Sequence, residues 1–121
     1  MSDTHPVQIE ESGAIVRAMV DGATVAETCN ALLVHETGHG QVWYFPVEDV
    51  RPGILSKTSR TTHCPRKGNA TYWTISLGSE TLENAAWSYE TPFAQVEKLK
   101  GYVSFYTQHV DVKAAEDKHA G

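Results

Sequence analysis

Apolar and polar positions alternate with a period of two along much of the chain, and this predicts short strands. In residues 15–20, Ile15, Arg17 and Met19 alternate with Val16, Ala18 and Val20. Asp21-Gly22 then offers positive φ at a tight turn, and residues 24–28 return, so the pair predicts a hairpin. Residues 31–35 form a third short run. Residues 41–45, rich in Val, Trp, Tyr and Phe, form a fourth, which Pro46 stops. Between 48 and 55, Pro52 and Gly53 break any helical spacing into at most a turn.

Residues 61–70 read as a polar loop holding Pro65 and Gly68. Residues 71–77 form a clear strand, with Tyr72, Thr74 and Ser76 on one face and Trp73, Ile75 and Leu77 on the other. Gly78-Ser79 turns the chain and residues 81–89 pair back. One short C-terminal helix is predicted over 91–101: Thr91 can cap it, Pro92 suits its first position and Gly101 can end it. Phe93, Val96 and Leu99 would share one side. Residues 102–106 and 110–112 close as strands. The expectation is a mainly-β domain over residues 9–113, with loose ends at 1–8 and 114–121, where no apolar period supports order.

Composition narrows the functional classes. A chain of 121 residues, 40% hydrophobic and 21% charged, fits one domain with its own core. Ten basic against fifteen acidic side chains leave a net charge of −5. A protein that neutralises phosphates is normally basic, so no nucleic-acid partner is expected. Arg60, Arg66 and Lys67 form a local basic group that reads as solvated loop charge. No run approaches the ~20 apolar residues of a membrane helix, so no membrane partner is expected. Residues 1–9 hold no apolar segment, so no signal peptide is expected and the expected location is cytoplasmic. Cys29 and Cys64 are then expected as reduced thiols.

His35-Glu36-Thr37-Gly38-His39 matches the H-E-x-x-H string of zinc peptidases. That chemistry needs a helix, which brings both imidazoles to one face beside the glutamate. Gly38 and Gly40 and the short flanking runs predict a solvated connecting loop instead. Cys64 with His63 lacks the paired C-x-x-C elements of a structural zinc site. No metal and no cofactor are expected.

The dense segments are W-Y-F-P-V-E-D-V-R at 43–51, T-H-C-P-R-K-G-N-A-T-Y-W at 62–73, E-N-A-A-W-S-Y-E-T-P at 83–92 and G-Y-V-S-F-Y at 101–106. Together they resemble the domain-of-unknown-function family 427, small bacterial and fungal proteins, across roughly residues 13–112. The resemblance implies a β-tent-like fold, small antiparallel sheets packed at an angle. It also implies a nucleotidyltransferase-like activity as one alternative. Zinc-binding relatives of that fold carry two C-x-x-C knuckles, which are missing here.

Read as chemistry, the same residues suggest a pocket. The 62–70 loop would present Cys64 and Lys67 together, and a neighbouring ammonium favours a thiolate. Trp73 and Trp87 on neighbouring strands would form two walls, with Thr62, Tyr44, Tyr72 and Tyr89 adding hydroxyls. Arg51 and Lys67 would hold an anionic group. The leading expectation is a binding domain for a small anionic or aromatic metabolite. Other readings are an enzyme with Cys64 as nucleophile, Lys67 as activator and His63 as base, a nucleotidyltransferase using Glu48 and Asp49, and an adaptor offering a sheet edge. A homodimer is left open. Against these stand plain structural roles: Cys64 as a small buried apolar group and both tryptophans as core anchors.

Overall fold

The computed structural model describes residues 7–38 and 40–115. The hairpin signal at Asp21-Gly22 is realised: both residues take positive φ, 49° and 84°, and join β2 (Val16–Val20) to β3 (Ala23–Thr28). Around them run β1 (Val7–Glu11), β4 (Leu32–Glu36), β5 (Gly40–Pro46), β6 (Leu55–Cys64), β7 (Gly68–Leu77), β8 (Glu80–Ser88), β9 (Tyr102–Phe105) and β10 (Asp111–Ala114). Every strand pair is antiparallel. Seven strands form one sheet in the order β1-β4-β5-β9-β8-β7-β6, and β10-β2-β3 form a second. The mainly-β expectation therefore holds.

Alternation gives the large sheet two apolar faces. One face meets the small sheet: Val16, Ala18, Val20 and Val25 pack with Phe45, Ile75, Ala86 and Phe105. Phe45 and Phe105 touch edge to face, with centroids 5.4 Å apart. The other face gathers Leu32, Val34, Tyr44, Tyr72 and Tyr89 under Val96 and Leu99.

Three expectations need correction. The helix predicted over 91–101 does not form. Residues Ala94–Leu99 make 3-10 turns kinked at Val96, and no side chain caps them. Apolar residues at 93, 96 and 99 repeat every three positions, the period of a 3-10 turn rather than an α-helix. Val96 and Leu99 are still buried, while Phe93 is exposed. The polar loop at 61–70 is mostly strand, since β6 runs to Cys64 and β7 starts at Gly68. β6 is an edge strand whose residues are mainly exposed, so it needs no apolar stripe and hid its strand character. Finally, Val7 and Gln8 belong to β1 and Ala114 to β10, inside the segments expected to be loose. The rest of those two segments, 1–6 and 116–121, and His39 lie outside the described residues. Among the described residues no helix is long and apolar enough to cross a membrane.

Phe45→Ala is expected to cost about 3–5 kcal/mol in urea unfolding, because it leaves a cavity between two sheets. Ile15→Ala, at an exposed position, is expected to stay within about 0.5 kcal/mol. A Phe45→Ala loss no larger than that of Ile15→Ala would contradict the packing described.

Candidate functional site

Lys67 is the unusual residue of the second face: its side chain is 9% exposed. It sits in the tight turn between β6 and β7, where Lys67 N–H donates to Cys64 O at 3.2 Å. The turn is tied down from above, since Phe93 N–H donates to Lys67 O at 2.9 Å. Gly68 follows with φ of 119°, and a Cβ there would lie 3.3 Å from Thr91 O. The conformation therefore favours glycine, and a side chain there would also press on the Thr91 carbonyl. This local geometry turns the lysine inward, which a solvated loop would not do.

A buried ammonium has to be compensated. Lys67 Nζ is hydrogen-bonded to Glu36 Oε1, and it lies 5.9 Å from the Tyr89 ring centroid and 3.9 Å from Cys64 Sγ. Glu36 Oε2 also accepts from Arg66 Nη1 at 3.3 Å. Glu36 reaches this face because it shares strand parity with Leu32 and Val34 on β4. His35, one residue earlier, takes the opposite direction: its ring bonds Glu10 and Gln41 at 3.1 Å each. The described part of the H-E-x-x-H string, residues 35–38, thus lies on a strand and a turn, not on a helix. Among the described residues no three His, Cys, Asp or Glu side chains come together as a metal site.

Aromatic rings build the walls. Trp87 Nε1–H donates to Tyr44 Oη at 3.1 Å, with the rings edge to face. Tyr106 packs against Trp87 at 4.5 Å and stacks parallel to Tyr72. Tyr106 Oη donates to Tyr72 Oη at 3.3 Å, and Thr62 Oγ1 lies 2.9 Å from the same oxygen. The Arg60 guanidinium covers the Tyr72 ring at 4.9 Å. Together with Tyr89, Val34 and Val42 these rings and the Glu36–Lys67 pair line a cavity of about 210 Å³.

The phenols feel this environment unequally. Burial pushes Tyr44 and Tyr89 well above the usual 10.0, and pushes Tyr106 up to about 12. Burial also opposes ionisation of Tyr72, but hydrogen bonds from Thr62, Tyr106 and Arg60 outweigh it and lower that pKa.

Of the residues singled out in the sequence, Tyr44, Lys67, Tyr72, Trp87 and Tyr89 line this cavity. Thr62 touches it through Tyr72, and half-buried Cys64 packs against the same cluster beside Lys67. Two expected members are elsewhere. Trp73 pairs with Ala86 on the face toward the small sheet, donates to Ser88 Oγ at 2.9 Å, and lines a separate cavity of about 190 Å³. Arg51 is exposed on the loop after β5, with its N–H on Val25 O at 2.7 Å. The two-residue turn at Gly78-Ser79 sets Leu77 opposite Glu80, so odd residues of β7 share a face with even residues of β8. Trp73 and Trp87 are both odd, so they could not face one pocket. Sequence reading missed Glu36, Tyr106, the contact of Arg60 with the Tyr72 ring and the bond of Arg66 to Glu36. Strand parity with Val34 was the available signal for Glu36.

The fold and this face define a small antiparallel β domain with an aromatic-walled cavity around a buried ion pair. The chain matches, over residues 8–116, the family described as a domain of unknown function, DUF427, and it belongs to that family. Among curated proteins none matches the chain.

Glu36→Gln is expected to destabilise the fold by about 3 kcal/mol, since it strands a buried cation, whereas Glu36→Gln/Lys67→Met recovers most of the loss. Equal losses in both variants by urea titration would contradict the pairing. Alkali tests the phenols. An unfolded tyrosine ionises near 10.0, while Tyr44, Tyr89 and Tyr106 ionise later in the fold. Above that pH the unfolded chain gives up protons that the fold retains, so stability is present below pH 10 and falls as pH rises. Tyr44→Phe should flatten that fall, and an unchanged slope between about pH 10 and 12 would contradict the burial argument.

Proposed function

We propose that the protein binds a small aromatic acid, one ring with a carboxylate, in the cavity around Lys67. The observation that carries this reading is a buried ammonium turned into a space walled by five aromatic rings. Lys67 and Arg66 are two cations on the one carboxylate of Glu36, a local balance of +1 in a chain of −5. That excess favours an anion, and Lys67 has donor capacity beyond its bond to Glu36. Rings offer faces and edges to a planar guest. The volume, about 210 Å³, exceeds the ~150 Å³ cavity that holds a benzene, so one substituted ring is the appropriate size. The cavity is complete within one chain, and the reading needs no homodimer, nucleic acid or membrane. A cytoplasmic setting belongs to this reading, as does the β-tent assignment of the two sheets, which rests on family resemblance.

A second reading has one supporting contact, the 3.9 Å approach of Lys67 Nζ to Cys64 Sγ. It makes Cys64 a nucleophile. Against it, the ammonium is engaged by Glu36, and the His63 ring bonds Asn69 and packs on Phe93. A nucleotidyltransferase has less support: Asp49 Oδ2 accepts from Thr28 Oγ1 at 2.7 Å, in a 3-10 turn outside the cavity lining.

Calorimetric titration with benzoate and 4-hydroxybenzoate tests the first reading. Saturable binding is expected, weakened at least about tenfold, roughly 1.4 kcal/mol, in Lys67→Met and in Trp87→Leu but unchanged in Trp73→Leu. Absence of binding by either acid, or an equal loss in Trp73→Leu, would overturn it. The nucleophile reading is checked by iodoacetamide: binding alone predicts that half-buried Cys64 reacts more slowly than exposed Cys29. Faster modification of Cys64 would revive the enzyme.

A further inference from the structure

The aromatic wall has a second side. Trp87, Tyr106 and Val42 line the cavity around Lys67, and the same three residues line an adjoining cavity of about 300 Å³. The origin of this second space is a split in the sheet. β5 and β9 are paired only at Phe45–Val103 and Pro46–Tyr102. Beyond that, the next link is a side-chain bond, Ser104 Oγ–H donating to Trp43 O at 2.7 Å. The cavity opens there, between Gln41–Trp43 of β5 and the chain from Ser104 to Gln108.

The chemistry of the two chambers differs. The first holds an ammonium and a carboxylate. Among the described residues, the second is lined by no Asp, Glu, Lys, Arg or His side chain. Its polar groups are amides and hydroxyls, from Gln41, Gln108 and Thr107, beside the indoles of Trp43 and Trp87. Gln41 Nε2 is used on His35 Nδ1 at 3.1 Å, which leaves its carbonyl oxygen to accept. Thr107 and Gln108 are exposed, so a guest can reach them. A charged group placed there would find no counter-charge, and a purely apolar one would desolvate the amides without replacing their hydrogen bonds. A ring that bears hydroxyls on its edge and C–H groups on its face satisfies both kinds of wall.

We propose that the ligand is bipartite: an aromatic acid joined to a neutral sugar ring, with the acid at Lys67 and the sugar in the split between β5 and β9. This rests on the aromatic-acid reading and extends it. Trp87, half-buried between the chambers, would lie alongside the linkage. The reading assigns Thr107 and Gln108, which otherwise belong to an ordinary surface turn, to ligand selection.

The test is a pair of probes on the full chain: 4-hydroxybenzoate and its 4-O-glucoside, 4-(glucopyranosyloxy)benzoate, titrated by calorimetry into wild type and into Thr107→Val/Gln108→Leu. The glucoside is expected to bind wild type about tenfold more tightly than the plain acid. The double variant should reduce that advantage below about twofold while leaving the plain acid's Kd unchanged. Both substitutions are at exposed positions, and circular dichroism confirms that the variant folds. A glucoside that binds no more tightly than the plain acid overturns the second chamber's role and leaves the aromatic-acid reading standing. An advantage that survives the double variant also overturns it, because the sugar then lies elsewhere. Failure of both probes overturns both proposals together.

Discussion

One largely buried lysine organises this face of the molecule. Removing an ammonium from solvent costs several kcal/mol unless a carboxylate and polarisable neighbours replace the water. The structure supplies Glu36 from the end of β4 and the Tyr89 ring from beyond β8. These come from parts of the chain more than 20 residues distant from Lys67, so the pair fastens β4 to the β6–β7 turn across the sheet. Gly68 and the 91–93 backbone hold the turn in the one shape that keeps the ammonium inside. The tyrosines around it cannot collapse onto it without losing the Tyr44–Trp87 and Tyr72–Tyr106 bonds that set their positions. The cavity follows from these fixed distances.

Strand parity decides what that cavity can see. The large sheet has two apolar faces, and a shift of one residue moves a side chain between them. Tyr72 and Trp87 look one way, Trp73 and Ala86 the other. A single face therefore concentrates the phenols and the buried charge. The other is an ordinary apolar interior between sheets, with the smaller Trp73 cavity at its side.

Much of the architecture was legible in the sequence because period-two patterning and turn residues report local geometry directly. Asp21-Gly22 marked its hairpin, Gly78-Ser79 marked the next, and residues 71–77 announced their strand. The errors arose where tertiary context overrides local pattern. Edge strand β6 has no buried stripe to advertise it. The 93–99 segment buries Val96 and Leu99 by 3-10 turns, a choice made by the tyrosine-rich face beneath it rather than by helix propensity. Lys67, Cys64, Tyr44, Trp87 and Tyr89 were found because the C-P-R-K-G and A-W-S-Y segments are chemically dense. Glu36 was overlooked because its neighbours made a familiar metal string, and Tyr106 because a distant strand delivers it. Pairing Trp73 with Trp87 treated proximity as orientation. Counting residues across the Gly78-Ser79 turn would have separated them.

The face carrying Lys67, and not the face carrying Trp73, is the one proposed to receive a ligand. Diffraction at the bromine edge from a crystal soaked in 4-bromobenzoate measures this directly. One strong anomalous peak is expected among Tyr44, Trp87 and Tyr106, with the carboxylate within hydrogen-bond reach of Lys67 Nζ. A peak beside Trp73 and Leu55, or an aromatic chamber filled by its own side chains with no bromine in it, would contradict it.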